Sequence, residues 1–250
     1  MAADPMETAD DRFDVLFLGS GNAFGAEGRA FSSFLLNGRY LFDIGPTVLQ
    51  QLKRAQVPAD DIDVVIVSHF HADHYFGLPF LLLESWKTGR TRDLHIVGPP
   101  GIAERSERLL ELGFARLPAK MTRFECTYTE VRDGFADLVA GLDLRAAAVE
   151  HVADLECFAY QVRANGRSLT YSGDSKLCDG LLRLADGADV LVLEYSRAGD
   201  PVHLSAADIP AVRRRAAPAA KTVVTHLESG GSPQVGDDVL VATDLARFRL

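Results

Sequence analysis

The stretch Ser68-His69-Phe70-His71-Ala72-Asp73-His74 places three of the chain's seven histidines, and one carboxylate, within six residues. Just before it, Ile62-Asp63-Val64-Val65-Ile66-Val67 is short, β-branched and apolar, the pattern of a buried strand. After it, residues 77–85 read as a buried helix with Pro79 in its first turn. The histidines therefore stand in a turn at the carboxyl end of a strand, where α/β proteins build their sites. In an extended turn His69 and His71 point the same way and can grip one ion. Asp73 and His74 come round the bend and can grip a second. Neutral imidazole and carboxylate are borderline-to-hard donors that suit Zn²⁺, with Fe or Mn as alternatives.

With 250 residues, 47% apolar and 24% charged, the chain has an ordinary globular composition and the size of one large α/β domain or two small ones. No apolar run approaches the roughly 20 residues that span a bilayer. Residues 1–12 are acidic and polar and lack the apolar core of a signal peptide, so they are expected to be a flexible lead-in to a folded unit over 13–250. Cys126, Cys157 and Cys178 are scattered and odd in number, which fits a reduced, cytoplasmic setting. The net charge of -9 argues against a broad basic surface for nucleic acid. The one basic run, Arg213-Arg214-Arg215, falls in an expected helix and reads as a solvated face.

Phe13-Asp14-Val15-Leu16-Phe17-Leu18 reads as the first strand. It runs into Gly19-Ser20-Gly21-Asn22-Ala23-Phe24-Gly25, which lacks the Gly-Lys-Ser/Thr ending of a nucleotide loop and is expected to bring backbone near the metal site. A helix is expected over 47–56, a strand over 94–97 with His95 structural, and a helix over 101–112 with one charged face. Residues 113–133 have no clear pattern and are expected to fold over the site. Three further candidates come singly, each closing a strand-like run: His151 after 142–150, Asp174 after 168–173, and His226 after 222–225. Residues 190–196 read as another buried strand, and Ser205 with Asp208 forms a capping-box-like start to a helix over 206–216. No Gly-x-Ser-x-Gly elbow occurs, so a covalent serine mechanism has no support.

Ser-His-Phe-His-Ala-Asp-His resembles the His-x-His-x-Asp-His signature of the metallo-β-lactamase-fold hydrolases, and further matches follow along nearly the whole chain. The opening hairpins, with Ser32-Ser33-Phe34-Leu35-Leu36 and Leu41-Phe42-Asp43-Ile44-Gly45, resemble the ribonuclease Z-like branch. Asp43 is then a supporting or packing residue, not a ligand. The resemblance implies an α/β protein built as a four-layer αββα sandwich. It implies two divalent metal ions, one on His69, His71 and His151, the other on Asp73, His74 and His226, with Asp174 bridging. Aspartate at 174, where lactamase branches use cysteine, favours N and O donors. His203, in the His-x-Ser form His203-Leu204-Ser205, and Glu194 match the branch's metal-side histidine and the glutamate paired with it.

The chain also departs from that branch. The His-Glu-Ala-Thr motif stands here as Leu193-Glu194-Tyr195-Ser196, without its histidine. Only 23 positions separate His151 from Asp174, too few for the inserted arm that grips tRNA. The tail over 239–250 resembles the family's closing strands. The expected activity is hydrolysis of a phosphodiester by a metal-bridging hydroxide. Asp73 would orient it, His203 would stabilise charge or protonate the leaving group, and Glu194 would hold the His203 tautomer. A carboxylic ester, lactone or thioester is the second substrate class. A tRNA 3′-processing endonuclease and a non-catalytic metal-binding member are the remaining readings, the latter disfavoured because all seven ligand positions are filled. A small-molecule or short nucleotide substrate is expected, with no membrane and no extended nucleic acid as partner, and a homodimer is left open.

Overall fold

Alternate side chains of single strands enter two different cores in the computed structural model, which describes residues 13–164, 166–197, 199–229, 233 and 235–250. The expected flexible lead-in, residues 1–12, lies outside the described residues. The chain lays down β1 (Asp14–Gly19), β2 (Ser33–Leu36), β3 (Tyr40–Phe42), β4 (Val64–Ile66), β5 (Leu94–Gly98) and β6 (Cys126–Glu130). It then crosses to β7 (Ala136–Val139), β8 (Leu142–Val149), β9 (Cys157–Ala164), β10 (Arg167–Tyr171), β11 (Val190–Glu194), β12 (Lys221–Thr225) and β13 (Val239–Val241), and returns for β14 (Arg247–Arg249). Two seven-stranded mixed sheets result, ordered β14-β1-β2-β3-β4-β5-β6 and β13-β12-β11-β10-β9-β8-β7.

Val15 and Phe17 of β1, Val64 and Ile66 of β4, and Val190 and Val192 of β11 join one core between the sheets. The intervening Leu16, Leu18 and Val65 face the helices of the first sheet, and Leu191 and Leu193 face those of the second. Strands buried on both faces read as unbroken apolar runs, which is why 64–67 and 190–193 carry no polar alternation. Outside the first sheet lie α1 (Val48–Arg54), α2 (Ala72–Tyr75), α3 (Leu78–Thr88) and α4 (Ile102–Phe114). Outside the second lie α5 (Asp179–Ala185) and α6 (Ile209–Arg213). The order is helix, sheet, sheet, helix, the expected αββα sandwich. Aromatic side chains fill the centre: Phe34 stacks on Phe42 at 4.5 Å, and Tyr171 meets Phe34 edge-on at 5.1 Å. Each buried ring contributes about 1.5–3 kcal/mol.

Two expectations are corrected. Residues 113–133 do not cover the site. They finish α4, form a short turn and become edge strand β6, while Leu117 and Phe124 bury themselves among the helices of the first sheet. The helix expected over 206–216 is α6 alone. Ser205 Oγ and N–H both reach Asp208 Oδ2, at 2.7 and 3.0 Å, closing a turn before the helix. Pro210, which cannot donate to a preceding turn, fits only the first turn of the helix that follows. His95 is structural, as expected: its ring nitrogens bond Thr127 and Thr129 on neighbouring β6.

Candidate metal centre

The site is assembled from strand ends. The segment after β4 supplies His69 and His71, the α2 turn that follows supplies Asp73 and His74, His151 follows β8, Asp174 follows β10, β11 ends in Glu194, and β12 leads to His226. Both sheets thus contribute to one edge of the sandwich. The turn after β4 seats tightly because Gly45 lies under it: a Cβ there would fall 2.0 Å from the Asp73 carbonyl oxygen. Asp43 and His226 both hold left-handed backbone, at φ 54° and 57°, which costs a non-glycine residue about 1 kcal/mol or more. The fold tolerates that strain at two positions facing the same centre.

His69, His71, His151 and Asp174 bring ligand atoms together in one group, and Asp73, His74 and His226 do so in another. Nε2 of His151 is 3.4 Å from Nδ1 of His71, and Nε2 of His69 is 3.8 Å from Asp174 Oδ2. In the second group Nε2 of His74 and of His226 lie 3.2 and 3.6 Å from Asp73 Oδ2. Asp174 stands between the groups, with Oδ1 3.3 Å from His74 Nε2 and Oδ2 3.3 Å from His226 Nε2.

These atoms are buried and unsatisfied. Nε2 of His69, His74 and His226 and Oδ1 of Asp174 have no hydrogen-bond partner among the described residues. An orphaned buried polar atom costs about 1–3 kcal/mol, so four converging ones call for a further group. A divalent cation fits imidazole and carboxylate donors at this spacing. The outer ring nitrogens are already engaged. Nδ1 of His74 sits 2.7 Å from Asp43 Oδ2, Nδ1 of His69 is 2.9 Å from Ser68 Oγ, and Nδ1 of His151 is 2.9 Å from the Val202 carbonyl. Outer partners of this kind fix ring orientation and tautomer so that Nε2 faces inward.

The electrostatics agree with a cation site. Burial, followed by the charge of neighbouring His74, holds His69 well below the ordinary histidine range, so it is a neutral donor. Burial opposes ionisation of Asp73, but its contacts with His226 and His74 outweigh this and keep it a carboxylate. Burial likewise opposes charge on Asp174, and His226 and His74 overcome it.

Beside both groups stands a dyad. His203 Nδ1 lies 2.5 Å from Oε2 of buried Glu194, and the His203 ring is 4.7 Å from that of His151 and 5.4 Å from that of His226. Glu194 Oε1 accepts the Ser175 N–H, while Oε2 also lies 3.5 Å from His226 Nδ1. One carboxylate therefore holds His203 and steadies a ring of the second group. His203, Asp73, Asp174 and Phe24 face a cavity of about 230 Å³.

Every site residue expected from the sequence is thus brought to this edge. Three supports were not expected: the Tyr171 hydroxyl, which donates to Asp43 Oδ2 at 2.7 Å, the Val202 carbonyl under His151, and the Ser68 hydroxyl. Ser68 alone left a signal, as the polar residue at the end of an apolar strand.

Residues 38–227 match the β-lactamase superfamily domain. Ribonuclease Z of Methanosarcina mazei is 27% identical, with 94% of this chain and 97% of that one covered. Ribonuclease Z of Mycobacterium bovis is 31% identical over 72% of this chain and 69% of that one. The crystal structure of human tRNase Z, short form, superposes with a TM-score of 0.73 at 25% identity, covering 94% of this chain and 98% of the other. The chain belongs to the β-lactamase superfamily, on its ribonuclease Z-like branch of metal-dependent hydrolases.

Proposed function

We propose that this chain hydrolyses phosphodiesters with two zinc ions, one held by His69, His71 and His151, the other by Asp73, His74 and His226, with Asp174 shared. The observation that carries the phosphodiester assignment is the His203–Glu194 dyad, which sets an ionisable ring on the cavity wall beside both ligand groups. An alkoxide is a poor leaving group, and a positioned acid contributes most where the leaving oxygen is most basic.

When bound, the two ions supply Lewis acidity at the phosphoryl oxygen and lower the pKa of a water. The chain's own residues do the rest. Asp73 lines the cavity and orients the attacking water by accepting its hydrogen. Glu194 accepts the Nδ1 hydrogen of His203, which leaves Nε2 as the ring nitrogen that meets substrate. Burial disfavours charge on His203, but the hydrogen bond and charge of Glu194, with Asp174 and Asp200, outweigh it and push its pKa up to about 9. His203 thus enters the reaction carrying the proton that the leaving oxygen needs.

The likeness to human tRNase Z favours a second reading, tRNA 3′ processing. Against it, the interval between His151 and Asp174 is taken up by the two strands β9 and β10 with their connections, and no arm extends from its described residues. The Methanosarcina mazei alignment runs over 298 positions while taking in 94% of this 250-residue chain, so the relative carries roughly 60 residues that this one lacks. No described cavity-lining residue is lysine or arginine. A small or short nucleotide substrate therefore suits the site better than an extended nucleic acid. The three free cysteines support a cytoplasmic setting.

Metal analysis alongside a hydrolysis panel tests the reading. Two ions per chain are expected, with turnover of bis(4-nitrophenyl) phosphate that chelation removes and zinc restores. Turnover of a lactone or thioester without the phosphodiester would move the assignment to acyl transfer.

A further inference from the structure

Phe24 is 91% exposed, yet it lines the cavity over the metal centre. Leaving a whole phenyl ring in water forgoes the roughly 1.5–3 kcal/mol its burial would contribute. It is not loosely placed. The Asn22 side-chain oxygen accepts the Phe24 N–H at 3.2 Å, and the Asn22 carbonyl accepts the Gly25 N–H at 2.9 Å. Gly25 takes a left-handed turn at φ 57°, which points the chain back toward β2. The Asn22 N–H bonds the carbonyl of Leu227, next to His226, and Asp244 pins both flanks of the loop through the Ser20 hydroxyl at 2.8 Å and the Ala30 N–H at 2.7 Å. A pinned loop therefore projects one large aromatic side chain at the mouth of the cavity, beside the second ligand group.

The rest of the rim narrows what that ring can meet. Ser196 Oγ sits between the carboxylates of Asp200 and Glu228, 3.1 Å from Asp200 Oδ2, and both acids line the cavity. Arg197 already pairs with Glu228 at 3.1 Å, and no lysine or arginine stands among the described lining residues to hold additional phosphates. Affinity beyond a single scissile phosphate must then come from uncharged contacts, and stacking on an exposed ring is the one this wall offers. We propose that Phe24 is a specificity residue that stacks on a flat aromatic group carried by the ester arm that stays on the scissile phosphate when the leaving group departs, making this a site for short nucleoside or aryl phosphodiesters. The proposal rests on the phosphodiesterase reading above.

The test uses the metal-loaded full chain and three esters that release the same nitrophenolate: thymidine 5′-(4-nitrophenyl phosphate), benzyl 4-nitrophenyl phosphate and methyl 4-nitrophenyl phosphate. Phe24→Ala should lower kcat/KM for the thymidine ester about 5- to 150-fold, chiefly through KM, and leave the methyl ester within about twofold. Phe24→Trp should restore the loss. A matching loss with the benzyl ester assigns any flat ring, and a loss with the thymidine ester alone assigns a nucleobase. An equal loss on all three esters, or none on any, overturns the proposal while leaving the reaction class intact. If the wild type turns over no ester, the reaction reading fails, and calorimetry decides Phe24 by itself. Phe24→Ala should then weaken thymidine 5′-monophosphate but not inorganic phosphate, and unchanged thymidine 5′-monophosphate affinity overturns it.

Discussion

The Tyr171 hydroxyl donates to Asp43 Oδ2 at 2.7 Å, and the same oxygen holds His74 Nδ1 at 2.7 Å. A ring of the central core is thereby tied through one carboxylate to a ligand histidine. Asp43 also accepts the Ser68 N–H on Oδ1 and the Ser68 hydroxyl on Oδ2, so it fixes the start of the histidine turn as well. Asp43→Asn keeps the shape but offers one acceptor oxygen in place of two. Zinc affinity should fall about 10- to 100-fold, read by competition with a chelator. Tyr171→Phe removes one of several donors to Asp43 and should cost less. Affinity within twofold of wild type in Asp43→Asn would show that the turn is held by packing alone.

Asp174 reaches both ligand groups, with His74 and His226 at 3.3 Å and His69 at 3.8 Å. Asp174→Ala should therefore lower the occupancy of both ions, whereas His151→Ala should leave one ion largely in place. Metal content per chain, measured after dialysis against a fixed free-zinc concentration, separates the two patterns. Retention of two ions by Asp174→Ala would rule out the shared-ligand role.

The site was legible wherever the chemistry lies in one short stretch or closes a strand. His69, His71, Asp73 and His74 fall within six residues, and His151, Asp174 and His226 each follow a strand-like run. The αββα order was legible from motif resemblance, since runs such as 190–193 show burial on both faces but not which layers cover them. What could not be read were contacts between distant positions. Tyr171 and Asp43 are 128 positions apart and meet only because the two sheets pack face to face. Residues 113–133 were misplaced for a related reason: β6 is an edge strand with a partly exposed, weakly alternating sequence, so no period announced it.

The dyad has a pH signature. Burial, followed by the Asp174 charge, pushes Glu194 up to about 7, with His203 opposing, while Glu194 holds His203 up near 9. The pair shares its protons, so the two values belong to the pair. Below about 7 it gains a second proton and Glu194 no longer anchors the ring as a carboxylate. Above about 9 the proton that His203 should deliver is lost. A bell-shaped kcat/KM profile between those limbs is expected with an alkyl phosphodiester. Glu194→Gln removes the charge that raises His203 and leaves the burial that lowers it. Its alkaline limb should move down toward or below the ordinary histidine value of about 6.5, and the acid limb should vanish. An unmoved alkaline limb would mean that His203 is not the group titrating there.

His203 should act in the chemical step without holding an ion. It lies in the loop between β11 and α6, not at a strand end like the ligands, and its Nδ1 is occupied by Glu194 at 2.5 Å. Removing a proton donor that acts in the transition state lowers kcat and leaves ground-state metal binding alone. His203→Ala should retain wild-type metal content and fold, yet turn over an alkyl phosphodiester about 10²- to 10⁴-fold more slowly. A nitrophenyl ester, whose leaving oxygen needs little protonation, should lose much less. Equal loss on both substrates would reassign His203 to stabilising charge on the phosphoryl oxygens. No loss on either would reduce it to a loop residue and remove the main support for phosphodiester chemistry at this site.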